Sequence, residues 1–245
     1  MTSAREQFAR VAEAYARSAA HARGEDLARL AALVPADGII VDVGTGAGHA
    51  LAAVAPKAKL AIGVDATHEM LAVANGVLRE RGLRPLLVEA DAGALPIADD
   101  RADAVVSRLA AHHFPDVPVA FGEIRRILKR GGVFLFVDNY APDDPALDAW
   151  IDELERTRDP SHVRSHTLDG WERLLRDVGL ATQVEATLHT ALHTEDWLAR
   201  SQTPPDKAAR ARALLRDAPA AAREIFRIHN AGFSLLKALI VATKE

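Results

Sequence analysis

The sequence contains no cysteine. Disulfide frameworks, thiolate zinc sites and cysteine nucleophiles are therefore excluded, and a reducing, cytoplasmic setting fits. It has no basic excess either. Thirty Lys and Arg stand against 34 Asp and Glu, a net charge of −4, which argues against a nucleic-acid partner. No apolar run approaches the ~18 residues needed to span a bilayer, so no membrane insertion is expected. Arg5, Glu6, Arg10 and Glu13 interrupt the alanine-rich start and rule out a signal-peptide core there. There is no internal repeat. What remains is an ordinary globular composition over 245 residues, 49% hydrophobic and 26% charged.

Ser3 followed by Glu6 has the form of a capping box, and Phe8, Val11, Ala12 and Tyr15 then recur at helical spacing. A second helix carries Leu27, Leu30, Ala31 and Val34 on one face. Short apolar runs then alternate with helices: strands over Gly38–Val43, Leu60–Asp65, Pro85–Glu89, Ala102–Ser107 and Val133–Asp138. Between them the spacing predicts helices over Ala50–Ala55, His68–Arg81 and Val117–Leu128. Such runs predict a parallel sheet covered on both faces. Further on, helices are expected over Pro145–Thr157 and Leu168–Val178, a strand over Ala181–Leu188, a helical stretch over Thr194–Arg227 interrupted by Thr203-Pro204-Pro205 and Pro219, and a last strand over Phe233–Thr243. The late helices follow strand positions where open α/β sheets place ligands, which favours a cap over the site.

The chemistry is concentrated in Asp42-Val43-Gly44-Thr45-Gly46-Ala47-Gly48, between strand 1 and its helix. Glycines there let a ligand approach the backbone, and the helix start offers free N–H donors. A dinucleotide fingerprint wants its third glycine five residues after the first. That position is His49, whereas Gly48 comes four residues on. Asp42 would repel a pyrophosphate and attract an ammonium group. Asp65, at the end of strand 2, is placed to accept from both hydroxyls of a ribose. Asp91, after strand 3, is placed to accept from an exocyclic amine. Acceptors for ribose, amine and ammonium in one crevice describe S-adenosyl-L-methionine. Helix N-capping is the plain structural alternative for any one of these aspartates.

On these motifs the chain resembles class I S-adenosylmethionine-dependent methyltransferases, in the group that includes the ubiquinone and menaquinone enzymes. VDVGTGAG is similar to their first motif, GVDAT with Met70 to the second and EADAGALPI to the third; SRLAAHHFPDV and EIRRILKRGG match the strand-4 exit and the helix before strand 5. DNYAPDDPALD, DPSHVR and FSLLKALIVATK resemble a subgroup of small-molecule enzymes but supply no substrate. The resemblance implies a doubly wound seven-stranded α/β sheet, Rossmann-like, with an antiparallel last strand and a helical cap. It implies a single domain over 1–245: N-terminal helices in 1–35, a cofactor-binding core in 36–140, and helical insertions in 141–180 and 194–230. It also implies methyl transfer to a small molecule and admits a homodimer. The cofactor residues carried over are Asp42, Gly44, Thr45, Gly46, Gly48, Asp65, Ala66, Met70, Asp91, Ala92 and Arg108. No Asn-Pro-Pro-aromatic sequence of the amino-methylating DNA enzymes is present.

Other side chains have two readings each. His112 and His113 leave strand 4 near the expected methyl group; the first is a candidate general base, the second a candidate latch with Tyr15. Ser18 and His21 either fold over the cofactor or pack between helices. Asn139 and Tyr140, beside Asp138, either face the substrate or make a turn before Pro142. Trp171 reads as core, whereas Trp197 is a candidate pocket wall. His189 and His193 have metal-like spacing without the glutamate that such helices carry, and are read as surface residues with no metal. A cofactor-binding protein of this fold with a non-methylating role, such as cyclisation or regulation, stays open as the alternative. A nicotinamide oxidoreductase is a third reading.

Overall fold

Residues 3–16, 18 and 22–245 are described in the computed structural model. The first helix, α1 (Ala4–Ala16), opens with the capping box: the Ser3 N–H donates to the Glu6 carboxylate at 2.9 Å, and the Glu6 N–H to the Ser3 hydroxyl at 3.2 Å. Next come α2 (Glu25–Leu33), β1 (Ile39–Val43), α3 (His49–Val54), β2 (Leu60–Asp65), α4 (His68–Glu80), β3 (Leu86–Glu89) and β4 (Ala102–Arg108). They are followed by α5 (Val117–Ile127), β5 (Leu128–Asn139), α6 (Pro145–Arg158), α7 (Leu168–Asp177) and β6 (Leu180–His193). The chain ends with α8 (Thr194–Arg200), α9 (Pro205–Arg216), α10 (Ala220–Ile225) and β7 (Gly232–Lys244).

The strands form one seven-stranded sheet in the order β3-β2-β1-β4-β5-β7-β6. β1 to β5 pair in parallel, whereas β7 runs antiparallel to both β5 and β6. The order reverses between β1 and β4, and the crevice beyond the strand ends at such a reversal is the ligand site of open α/β sheets. On one face Phe121, Phe134, Phe136 and Trp171 pack edge to face. Trp171 is completely buried and donates its indole N–H to the Asn139 carbonyl at 2.9 Å, so it belongs to the core. Leu30, Val34, Ile40 and Leu135 pack on the other face. A third apolar cluster joins Trp197, Leu198 and Ala211 of the late helices to Phe226, Phe233 and Leu236.

Two strand boundaries differ by more than a residue from the sequence reading. β5 starts at Leu128 rather than Val133, because Leu128 already pairs with Ala102, and β5 then bulges out before Val133 pairs with Ala104. Gly131 carries the chain through this bulge at φ +75°. β6 runs on through His193, because β7 is long enough to pair it down to Gly232; His189 and His193 therefore lie in a strand. The helical stretch 194–227 divides where its prolines were expected to interrupt it, into three helices, with α9 and α10 restarting at Pro205 and after Pro219. Proline fits a first helical turn but not an interior. Among the described residues no helix is long and apolar enough to cross a membrane.

Candidate active site

The glycine turn is built by two constraints. The Gly44 and Thr45 N–H groups both donate to the Val64 carbonyl at 2.9 Å, which locks the turn onto β2. Gly44 sits at φ +72°, and a Cβ there would lie 2.5 Å from the Ala110 Cβ. Both the backbone conformation and the lack of space demand glycine. Gly46, at φ +51°, has nothing within 4 Å on the side a Cβ would occupy; that space belongs to a cavity of 730 Å³. The Gly46 N–H donates to Asp65 Oδ2 at 2.8 Å, and the Thr67 N–H donates to Asp65 Oδ1 at 2.9 Å. Burial pushes the Asp65 carboxyl up, and these amide donors oppose it in part. Each of its oxygens keeps a further lone pair toward the cavity.

Gly44, Thr45, Gly46, Asp65, Ala66, Met70, Asp91, Ala92 and Arg108 all line this cavity. Two expected cofactor residues do not. Asp42 is buried behind the turn, where its Oδ2 accepts from the Thr45 hydroxyl at 2.6 Å. It acts on the loop instead of facing the cavity, because its strand position points it under the turn. Burial pushes the Asp42 carboxyl up to about 6, with the Thr45 hydroxyl opposing. Gly48 faces α4 instead: a Cβ there would meet the Ala74 Cβ at 3.1 Å. Its φ of +81° starts α3 and its missing side chain lets α3 approach α4. Arg108 is held from behind by Asp26 of α2, which also lies 3.0 Å from the Lys237 ammonium. Burial pushes the Asp26 carboxyl up, but the two cations outweigh it and hold it below the usual range.

His112 and His113 sit in a one-turn helix, Ala111–His113, directly after β4. His112 Nδ1 is hydrogen-bonded to the Asp138 carboxylate at the end of β5, and its backbone N–H donates to the same group at 3.2 Å. Burial alone would lower the imidazole pKa, but the Asp138 charge and hydrogen bond reverse this and leave it above the ordinary histidine value. His113 Nδ1 lies 3.1 Å from the Ser161 carbonyl. Burial and the charge of His112 push it well below the ordinary value. The loop Asp159–Arg164 reaches this corner through the Val163 N–H, which donates to the His112 carbonyl at 2.9 Å.

The hydrogen bond expected between Tyr15 and His113 is absent. The Phe8 ring stands edge-on against both rings, with centroids 5.3 Å from Tyr15 and 4.8 Å from His113. The Tyr15 hydroxyl instead accepts from Arg158 at 3.2 Å. Phe8, Tyr15, Asn139 and Trp197 line the cavity. Tyr140 does not: successive strand residues point to opposite sides, so Asn139 turns in and Tyr140 joins His189 and Arg227 at a second hollow. Ser18 accepts from Arg200 at 3.2 Å, and His21 lies outside the described residues. No group of three or more His, Cys, Asp or Glu among the described residues is arranged to hold a metal ion.

Residues 41–136 match the family described as "Methyltransferase domain". The uncharacterized methyltransferase YcgJ of Bacillus subtilis is 39% identical over 222 residues, which cover 89% of this chain and 88% of that protein. The chain belongs to the class I S-adenosylmethionine-dependent methyltransferases. The crystal structure of YcgJ superposes with a TM-score of 0.85 at 36% identity, over 90% of this chain and 98% of that one. The uncharacterized protein YafE of Escherichia coli is 33% identical over 173 residues, covering 70% of this chain and 84% of that protein. Within this methyltransferase, the sequence reading missed Phe8 as a wall residue, together with Glu155, Arg158 and Arg200, which also line the cavity. They stand on helices whose polar residues look like solvent faces until the cap is folded over the sheet.

Proposed function

We propose that this methyltransferase transfers a methyl group to a protic atom of a small-molecule acceptor, with His112 as general base. S-adenosyl-L-methionine supplies the methyl already activated on a sulfonium. In this reading the Asp65 carboxylate holds the ribose hydroxyls and the open side of Gly46 gives the cofactor room. Asp42 keeps the turn in shape through Thr45. The single observation that carries the reading is that one cavity joins Asp65 and Gly46 to His112 with its Asp138 partner. Asp138 fixes Nδ1 of the ring, which leaves Nε2 to take the acceptor's proton. α1 and the late helices exclude water around it. The lack of cysteine and the net charge of −4 support a cytoplasmic enzyme without a nucleic-acid partner.

Mass spectrometry of a metabolite extract incubated with the protein and labelled cofactor tests this. The expected result is a labelled small molecule heavier by one methyl group, and loss of labelling with His112→Ala. Saturable binding of NAD with no response to S-adenosyl-L-methionine or its demethylated product would overturn the cofactor assignment. Cofactor binding without any labelled product would favour the non-methylating reading.

A further inference from the structure

Arg158 and Arg200 both line the cavity and meet on Tyr15. Asp65 and Asp91 belong to the β2–β3 side of the sheet, whereas the wall here includes Thr190 of β6 and Leu235 of β7. Arg158 is buried at the end of α6. It donates to the Trp197 carbonyl and the Tyr15 hydroxyl, both at 3.2 Å, with the Asp159 carboxylate 3.8 Å away. Arg200, at the end of α8, stacks over the Tyr15 ring at 5.7 Å and donates to the Ser18 hydroxyl.

The charges of Asp159 and Glu155 favour the ionised Arg158, and that of Glu155 the ionised Arg200, but neither carboxylate closes a short hydrogen-bonded pair with a guanidinium fork. Asp159 takes the Ser161 N–H and hydroxyl as well as facing Arg158. Glu155, the remaining carboxylate of this wall, faces His162 at 3.8 Å. Asp138 is committed to His112. Arg200 forms no ion pair with a carboxylate among the described residues, and its Nε–H is buried without an acceptor. The Thr190 hydroxyl on the same wall is also buried and unpartnered. Burial and the charge of Arg158 both press the Arg200 pKa down. A buried guanidinium N–H without an acceptor is costly, and an oxyanion between two guanidinium forks removes that cost with charge-assisted hydrogen bonds.

We propose that Arg158 and Arg200, with the Thr190 hydroxyl, bind an anionic oxygen group of the acceptor, a carboxylate or a phosphate. This rests on the function proposed above and names its substrate class: a small acid whose protic atom reaches His112 while its anionic end is clamped at the cap. The clamp also selects against cationic acceptors such as amines without an acidic group.

Calorimetric titration of the protein loaded with S-adenosylhomocysteine tests the proposal. The probes are benzoate, inorganic phosphate and, as an uncharged control, benzyl alcohol. Saturable binding of one anion but not of the alcohol is expected, and which anion binds distinguishes carboxylate from phosphate. Arg200→Gln, at a half-buried position, should weaken that anion about 10- to 100-fold and leave the affinity for S-adenosylhomocysteine within about twofold. Arg200→Lys should restore part of the loss, since it keeps the charge but not the fork. No anion binding to the wild type, or equal binding to wild type and Arg200→Gln, would overturn it. So would an equal loss of S-adenosylhomocysteine affinity in Arg200→Gln, because the arginines would then serve the cofactor's own carboxylate. If S-adenosylhomocysteine fails to bind the wild type, the cofactor reading itself has failed and this one falls with it.

Discussion

His112 and Asp138 leave neighbouring parallel strands and close on each other, side chain and backbone together. In the proposed base role, the pair sets the pH behaviour. A base must be unprotonated to act, and Asp138 holds the imidazole above its ordinary value. Methyl transfer should therefore rise with pH and reach half its plateau above about 6.5. Asp138→Asn should move that midpoint down, because burial then dominates, and should also lower the plateau. His112→Ala should cost about 10²- to 10⁴-fold in kcat with little change in cofactor affinity. A pH profile of single-turnover rates measures all three; a His112→Ala rate within a few-fold of wild type would refute the base role.

Asp42 has the opposite consequence, for stability. Its folded pKa, about 6, lies above the ordinary 3.8, so the folded state favours the protonated form. The penalty is complete above about pH 6, shrinks as pH falls and is gone below about 4. Thermal unfolding should accordingly show stability rising as pH drops from 7 to 4 at this site. Asp42→Asn keeps an oxygen for the Thr45 hydroxyl and removes the buried charge. It should raise stability at pH 8 by up to about 3 kcal/mol and flatten the slope. An unchanged slope in the variant would show that the carboxyl is not strained.

Asp65 accepts two backbone N–H groups in addition to any ribose hydroxyls. Asp65→Ala should lose about 1.5–3 kcal/mol of cofactor affinity, and Asp65→Asn less. Calorimetry with S-adenosylhomocysteine decides this, and equal affinities for all three proteins would remove Asp65 from the site.

The contact between α1 and α6 runs through Tyr15 and Arg158, with Phe8 separating Tyr15 from His113. A double-mutant cycle of Tyr15→Phe and Arg158→Gln should show a coupling of roughly 0.5–3 kcal/mol. The cycle of Tyr15→Phe with His113→Asn should come out additive within about 0.5 kcal/mol. Coupling in the second cycle and none in the first would mean that the hydroxyl serves the histidine after all.

The strands and the turn were legible because their signals are local. GIIVDV and VFLFVD are continuous apolar runs, and Gly44 is dictated by φ and by Ala110. Asp65 and Asp91 were legible from their place at strand ends. The wall built by Arg158 and Arg200 was not. Arg158 and Arg200 lie 42 residues apart in sequence, on helices that also carry exposed charges, and only the folding of α8 against β7 and α1 turns them inward. Side-chain direction was the other limit. Asp42 and Tyr140 each sit one step from a cavity residue, and alternation along a strand sends them elsewhere. The Tyr15–His113 contact failed because spacing locates a helix face but not which neighbouring ring, here Phe8, fills the gap.

The ion cluster of Asp26, Arg108 and Lys237 makes the segment before β1 indispensable, although the whole of the matched family region lies after it. A truncated protein beginning at β1 would leave two buried cations, one in the cavity wall and one in the middle of β7, without their shared anion. Losing one partner of a buried ion pair costs about 3–5 kcal/mol, a large part of a domain's stability. Domain-swapped chimeras that graft a foreign N-terminal segment onto this core must therefore carry a carboxylate at the place of Asp26, or the graft will disturb the cavity wall and the antiparallel half of the sheet together.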